Sequence, residues 1–262
     1  MTRSGPAASI GQQILRRGGR AVLSRQATLK ITGREHIPQT GPCLIVARHY
    51  HNLLDGCALY QATDRPLHIL VGLDWAGTGL VRRGMELLCR MVDWPLMMRP
   101  DAVERAGVAA SQRAEMRRLL LEATRRSVDL LEAGDLLVVF PEGYPVVDPH
   151  ASTPRERPDG LLPFQQGVVR LASLAERRIG QAVPLVPVGY QYQPLNGGRW
   201  AIDMRIGPPV LREAEETDDT LRRRLEHLVG QLSGVPGSRD DGSLERGAGA
   251  YRDEGRTGTC VS

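Results

Sequence analysis

Aromatic side chains make up only 4% of the 262 residues, with two phenylalanines, three tryptophans and six tyrosines. Few rings are therefore available to stack bases, and the basic residues are scattered, so a nucleic-acid module is the least favoured reading. Lysine is nearly absent as well: Lys30 stands alone, and arginine carries the net charge of +4. That balance suits anionic lipid headgroups or the phosphates of coenzyme A, but charge alone suits nucleic acid equally. No run approaches the roughly 18–20 consecutive apolar residues that cross a bilayer, and the amino terminus has no apolar signal core, so a cytosolic or peripheral protein is expected. The four cysteines, Cys43, Cys57, Cys89 and Cys260, form no Cys-x-x-Cys pair. The first three stand in apolar or helical contexts and are expected to be buried thiols of a reducing compartment, without metal. There are no internal repeats.

What is present concentrates in residues 43–56. The apolar run 43–47 follows Gly41-Pro42 and has the length and flanks of a buried parallel strand, and the stretch from Leu53 to Leu59 can open a helix. Between them lies Arg48-His49-Tyr50-His51-Asn52, with Asp55 and Gly56 just beyond. A strand-to-helix turn is where open α/β sheets expose reactive groups, outside the carboxyl ends of the strands. An imidazole that takes a proton needs a partner to fix its tautomer and stabilise the imidazolium, and a carboxylate serves that role in the familiar triads. No serine or cysteine stands between His49 and Asp55, so the expected nucleophile is the hydroxyl of a substrate. Two histidines compete for the role of base. His49 follows the strand directly, whereas His51 stands four residues before Asp55, a spacing that helical geometry brings together.

Elsewhere, apolar runs of strand length at 67–71, 136–140, 185–190 and 200–206 alternate with helical patterns. The alternation predicts one α/β domain with a mostly parallel central sheet flanked by helices. The clearest helix covers 113–133, with Met116, Leu120, Ala123 and Leu130-Leu131 along one face and Gly134 as its stop. Thr217 or Asp218 can cap a last helix in which Leu221, Leu225, Leu228 and Leu232 recur at helical spacing. Residues 1–27 form an amphipathic segment interrupted by Gly18-Gly19, either packed on the domain or lying in a membrane interface. The domain proper is expected over 28–232, and 233–262, poor in apolar residues, is expected to be a disordered tail.

Several ordered blocks resemble the glycerolipid acyltransferases of the lysophosphatidic acid and glycerol 3-phosphate type. Ile31-Thr32-Gly33-Arg34-Glu35-His36-Ile37-Pro38 is similar to the strand and turn that lead into the catalytic histidine of that family. Residues 48–55 resemble its first motif, in a branch with one extra residue between histidine and aspartate, with Arg48 in place of the usual asparagine. Trp94-Pro95-Leu96-Met97-Met98-Arg99 is similar to the second motif, Phe140-Pro141-Glu142-Gly143 to the third, and Pro184-Leu185-Val186-Pro187-Val188 to the fourth. Residues 164–172 resemble the helix entry between the last two. Many members continue the third motif with Thr-Arg-Ser, whose arginine helps to hold an acceptor phosphate; here Tyr144-Pro145-Val146 follow.

The resemblance implies transfer of an acyl group from acyl-CoA or acyl carrier protein to the hydroxyl of a lysophosphatidic acid or related glycerolipid, with no cofactor beyond that co-substrate. It implies a peripheral attachment to the inner, cytoplasmic face of a membrane. His49 is implied as base, or alternatively His51, with Asp55 orienting it. Phe140, Pro141, Glu142, Gly143 and Arg99 are implied to bind substrate, Arg99 offering a guanidinium fork to an anionic group. Arg155 and Arg157 could replace the missing arginine of the third motif. The rival readings are an acyltransferase for a non-phosphate acceptor, a metal hydrolase using His49, His51 and Asp55 as ligands, and a lipid-binding protein without turnover.

Overall fold

The computed structural model describes residues 6–73, 79–97, 110–147 and 160–235. Cys43–Ala47 forms β2, the apolar run read from the sequence, and each of its residues is buried. Its neighbours are β6 (Leu136–Val139) and β7 (Leu185–Leu195), both parallel to it. A strand hydrogen-bonded on both sides and covered on both faces must be apolar throughout, which is why β2 shows no alternation. Beyond β6 lies β3 (Leu67–Ile69); beyond β7 lie β8 (Arg199–Ile206) and β1 (Ala27–Thr32), giving the order β1-β8-β7-β2-β6-β3. Every pairing in this sheet is parallel except β7 with β8. That pair is a hairpin closed by the short turn Asn196–Gly198, and a turn this short permits only an antiparallel return.

The pleat of β2 divides the core in two. Cys43, Ile45 and Ala47 face Leu54, Ala58, Leu59 and Tyr60 of α2 (Leu54–Ala62), together with Leu23 of α1 (Pro6–Gln26). Leu44 and Val46 face the other way, toward Val128 and Leu131 of α4 (Ala110–Glu132), Val169 and Ala172 of α5 (Gly167–Ile179), and Leu221 and Leu225 of α6 (Asp218–Leu232). The result is the expected single α/β domain with helices on both faces of a mostly parallel sheet.

Four local expectations are corrected. The run 67–71 is not one strand: Leu70 N–H still donates to Val138 O at 3.0 Å, but Val71 N–H turns to Pro95 O at 2.9 Å. Val71–Gly72 (β4) therefore joins Leu96–Met97 (β5) in a separate two-stranded sheet, with α3 (Leu80–Val92) between them in the chain. The Gly18-Gly19 pair does not interrupt α1, which runs through it with Gly19 packed against Cys57 of α2, where even a Cβ would make only ordinary contact at 3.5 Å. On α4, Leu120 is exposed while Met116, Ala123, Leu130 and Leu131 are buried, as expected. On α6, Val229 rather than Leu228 fills the buried position. Thr217 caps α6 as expected, its hydroxyl accepting from Thr220 N–H at 3.2 Å.

The amino-terminal helix is tied to the domain by a buried side chain. Gln12 Nε2 donates to Leu67 O at 2.9 Å and to Val92 O at 3.0 Å, while Oε1 accepts from Leu67 N–H and from the Tyr60 hydroxyl. Such complete satisfaction is what permits a buried amide. The other face of α1 keeps Ile10 and Ile14 exposed. Cys43, Cys57 and Cys89 are free and buried. Of the tail expected from 233, residues 236–262 lie outside the described residues, as does Cys260.

Candidate active site

The strands β2, β6 and β7 end at one edge of the sheet, and the chain leaves them carrying the residues singled out above. Arg48 N–H still donates to Val188 O at 3.0 Å, extending the β2–β7 ladder by one step. His49 N–H then donates to Glu142 Oε1 at 2.7 Å, just beyond β6. Glu142 Oε2 accepts from Leu162 N–H at 3.0 Å, and the residue is buried, so this carboxylate pins three chain segments together. Phe140 stacks on the His49 imidazole, with ring centroids 4.3 Å apart and planes 21° from parallel. Pro141 O accepts from Gln165 N–H at 3.0 Å, and Gly143, at φ 78°, turns the chain back with its amide on Phe140 O. A positive φ of this kind is the conformation glycine adopts without steric cost.

Asp55 lies in the first turn of α2 and is 0% exposed. Its Oδ2 accepts from His49 Nδ1 at 3.1 Å, from Tyr50 N–H at 2.7 Å and from His51 N–H at 2.9 Å. Its Oδ1 accepts from the Tyr192 hydroxyl at 2.6 Å. Four donors thus fix both oxygens of this carboxylate at the amino-terminal end of a helix. A proton on His49 Nδ1 directed at this carboxylate leaves the lone pair on Nε2, the tautomer required of a base.

His51 has another arrangement. The spacing of four residues brings its backbone amide, not its ring, to Asp55, while its Nδ1 accepts from Leu53 N–H at 3.2 Å and Leu54 N–H at 3.4 Å. The ring therefore caps the start of α2. Burial, partly opposed by Asp55, moves the His51 pKa below its ordinary value, so the ring stays neutral. Among the described residues no group of three or more His, Cys, Asp and Glu side chains is placed to hold a metal, and the His-x-His pair turns its rings to different partners. Arg99, Arg155 and Arg157 lie outside the described residues.

The sequence reading missed the two tyrosines of β7. Tyr190 and Tyr192 stand two apart on one face of the strand; the Tyr190 hydroxyl donates to Asp55 O at 3.1 Å and the Tyr192 hydroxyl to its carboxylate. Burial, with the Asp55 charge second, pushes both phenols well above their ordinary pKa, so both remain donors. The alternation Tyr-x-Tyr after the fourth motif was the available signal. Tyr50 stacks on Tyr192 at 4.4 Å, and Trp200 meets both rings edge-on.

The Tyr192 contact has a measurable consequence. Its hydroxyl is one of the donors that hold the Asp55 carboxylate in place for His49, and Tyr192→Phe removes it. The expected result is a loss of about tenfold in kcat with KM little changed, consistent with one hydrogen bond to a charged group. An unchanged kcat would reduce Tyr192 to a packing role.

Comparison with known proteins agrees with this geometry. The chain resembles the crystal structure of the 1-acyl-sn-glycerophosphate (LPA) acyltransferase PlsC from Thermotoga maritima, with a TM-score of 0.56 and 18% identity over 86% of this chain and 78% of that one. At this identity the likeness establishes the fold. No curated protein matches the chain. The family model described as Acyltransferase matches residues 28–191, more than half of the chain and the whole stretch from β1 into β7. This protein belongs to the acyltransferase family that its ordered motifs resemble.

Proposed function

We propose that the protein transfers an acyl group from a thioester, acyl-CoA or acyl carrier protein, to the hydroxyl of a lysophosphatidic acid or related glycerolipid, with no other cofactor. The observation that carries this reading is the 3.1 Å contact between His49 Nδ1 and Asp55 Oδ2 at the carboxyl edge of the sheet, with no serine or cysteine between the two residues. The 1-acyl-sn-glycerophosphate activity named for the structurally similar PlsC supports the choice of acceptor.

In this mechanism the acceptor hydroxyl oxygen attacks the thioester carbonyl carbon as His49 Nε2 takes its proton. Asp55 stabilises the imidazolium through Nδ1. The tetrahedral intermediate collapses with cleavage of the carbon–sulfur bond, and the departing sulfur receives the proton from Nε2, leaving an ester and a free thiol. Glu142 holds the His49 backbone, and Phe140 holds the plane of its ring. General base assistance of this kind contributes about 10²–10⁴ in rate.

Attachment to a membrane surface at the cytoplasmic face is part of the proposal. No described helix is long and apolar enough to cross a membrane. Support comes from Ile10 and Ile14 on α1 and Leu87 and Met91 on α3, all exposed, on helices that meet where Gly11 faces Val92. Exposed Arg17, Arg83 and Arg90 on the same two helices suit anionic headgroups.

The test is thiol release from a panel of acyl-CoA donors and acyl carrier protein with lysophosphatidic acid, glycerol 3-phosphate and uncharged lyso-lipids as acceptors. Release that depends on lysophosphatidic acid is expected. Release only with uncharged lyso-lipids would overturn the choice of acceptor, and no release with any pair would overturn acyl transfer to these substrates.

A further inference from the structure

The residue beside the proposed base carries a charge that no described side chain neutralises. Arg48 is 6% exposed, yet no acidic side chain among the described residues pairs with it. A guanidinium has five N–H donors. Here Nη1 makes one long bond, 3.4 Å to Tyr190 O, and Nε is buried with no partner. The Tyr50 ring lies 5.2 Å from the guanidinium carbon and offers its negative face, a partial compensation only. The buried carboxylates of the site do not serve, since Asp55 and Glu142 are engaged by other donors.

An unpaired buried charge is costly to a fold, and replacing it with an apolar residue of similar volume is often neutral or stabilising. Arg48 is therefore poorly explained as a structural strut. It stands one residue from His49, with its guanidinium over the ring that stacks on Tyr192, the donor to Asp55. The loop that follows Gly143 carries no basic residue between Tyr144 and Val147.

We propose that Arg48 is the binding residue for a phosphate group of a substrate, its unpartnered N–H groups forming the charge-assisted bonds that the protein does not supply. This rests on the acyl-transfer reading for the identity of the substrate but not for the existence of the anion site. Phosphate can come from the acceptor or from coenzyme A, and the two sources are separable. The fork geometry of arginine matches phosphate oxygens in a way lysine does not, so Arg48→Lys is expected to recover only part of the function.

The experiment follows thermal unfolding of the full chain, wild type and Arg48→Met, with inorganic phosphate, glycerol 3-phosphate or coenzyme A, each against chloride at equal ionic strength. The wild-type midpoint should rise with glycerol 3-phosphate, or with coenzyme A alone if the phosphate belongs to the donor. Arg48→Met should lose that rise while its unliganded midpoint stays level or increases. In turnover, if the phosphate is the acceptor's, the preference of Arg48→Met for phosphorylated over uncharged acceptors should fall by about 10- to 100-fold, expressed in KM; if it is the donor's, the KM for acyl-CoA should rise by a similar factor with that preference unchanged. Equal phosphate-induced rises in both proteins, no rise in wild type, or a clear fall in the unliganded midpoint of Arg48→Met would overturn the proposal. An Arg48-dependent rise without turnover on any acceptor would uphold the anion site while sinking the acyl-transfer reading.

Discussion

Replacing His49 by alanine is expected to lower kcat for thiol release by about 10²–10⁴-fold, whereas His51→Ala should cost less than about tenfold. The difference follows from what each ring touches. His49 directs Nδ1 at Asp55, which leaves Nε2 as the proton acceptor. His51 uses its Nδ1 to accept the amides of Leu53 and Leu54, so its remaining nitrogen carries the proton and cannot act as a base without a change of tautomer. Loss of the His51 ring uncaps the start of α2, an effect of about 1 kcal/mol on stability rather than on chemistry. Steady-state kinetics and thermal unfolding of the two variants separate these outcomes. A loss in His51→Ala as deep as that in His49→Ala, without a fall in stability, would transfer the base to His51.

Asp55→Asn should reduce kcat by at least about 10²-fold, approaching the roughly 10⁴-fold seen when the carboxylate of a serine protease triad is exchanged for an amide. The reasoning here differs from the protease case in one respect. Tyr50 and His51 both present backbone N–H groups to Oδ2, so an asparagine would place its carbonyl oxygen there and its NH₂ toward the Tyr192 oxygen. The carbonyl would still accept from His49 Nδ1, and the tautomer would survive. What disappears is the negative charge that stabilises the imidazolium. The loss should therefore fall on kcat, with KM little changed, because the charge matters only once the imidazolium forms. A kcat for Asp55→Asn within about tenfold of wild type would show that this carboxylate is not the electrostatic partner of the base.

Much of the molecule could be read before the structure, and for a common reason. β2 and α6 were legible because a strand buried on both faces and an amphipathic helix each impose a pattern on consecutive residues: the apolar run 43–47 in one case, Leu221, Leu225 and the Thr217 cap in the other. The placement of His49 and Asp55 at a strand-to-helix turn was legible in the same way. The split of 67–71 between two sheets was not, since Leu70 and Val71 differ only in which distant backbone they meet, Val138 or Pro95. Nor was the continuity of α1, where a glycine pair reads as a break until α2 is seen lying against Gly19.

The sequence by itself determined the α/β architecture, the edge of the sheet that carries the reactive residues and the short roster of His49, His51 and Asp55, because these depend on local periodicity and on spacing along the chain. Only the tertiary structure decided which histidine ring meets Asp55, brought Tyr190 and Tyr192 onto it, gave Glu142 to the His49 backbone and left Arg48 buried without a counter-charge among the described residues. Those relations join residues 6 to 142 positions apart through the parallel pairing of β2 with β6 and β7, and hydrogen bonds across that separation leave no periodic trace in the chain.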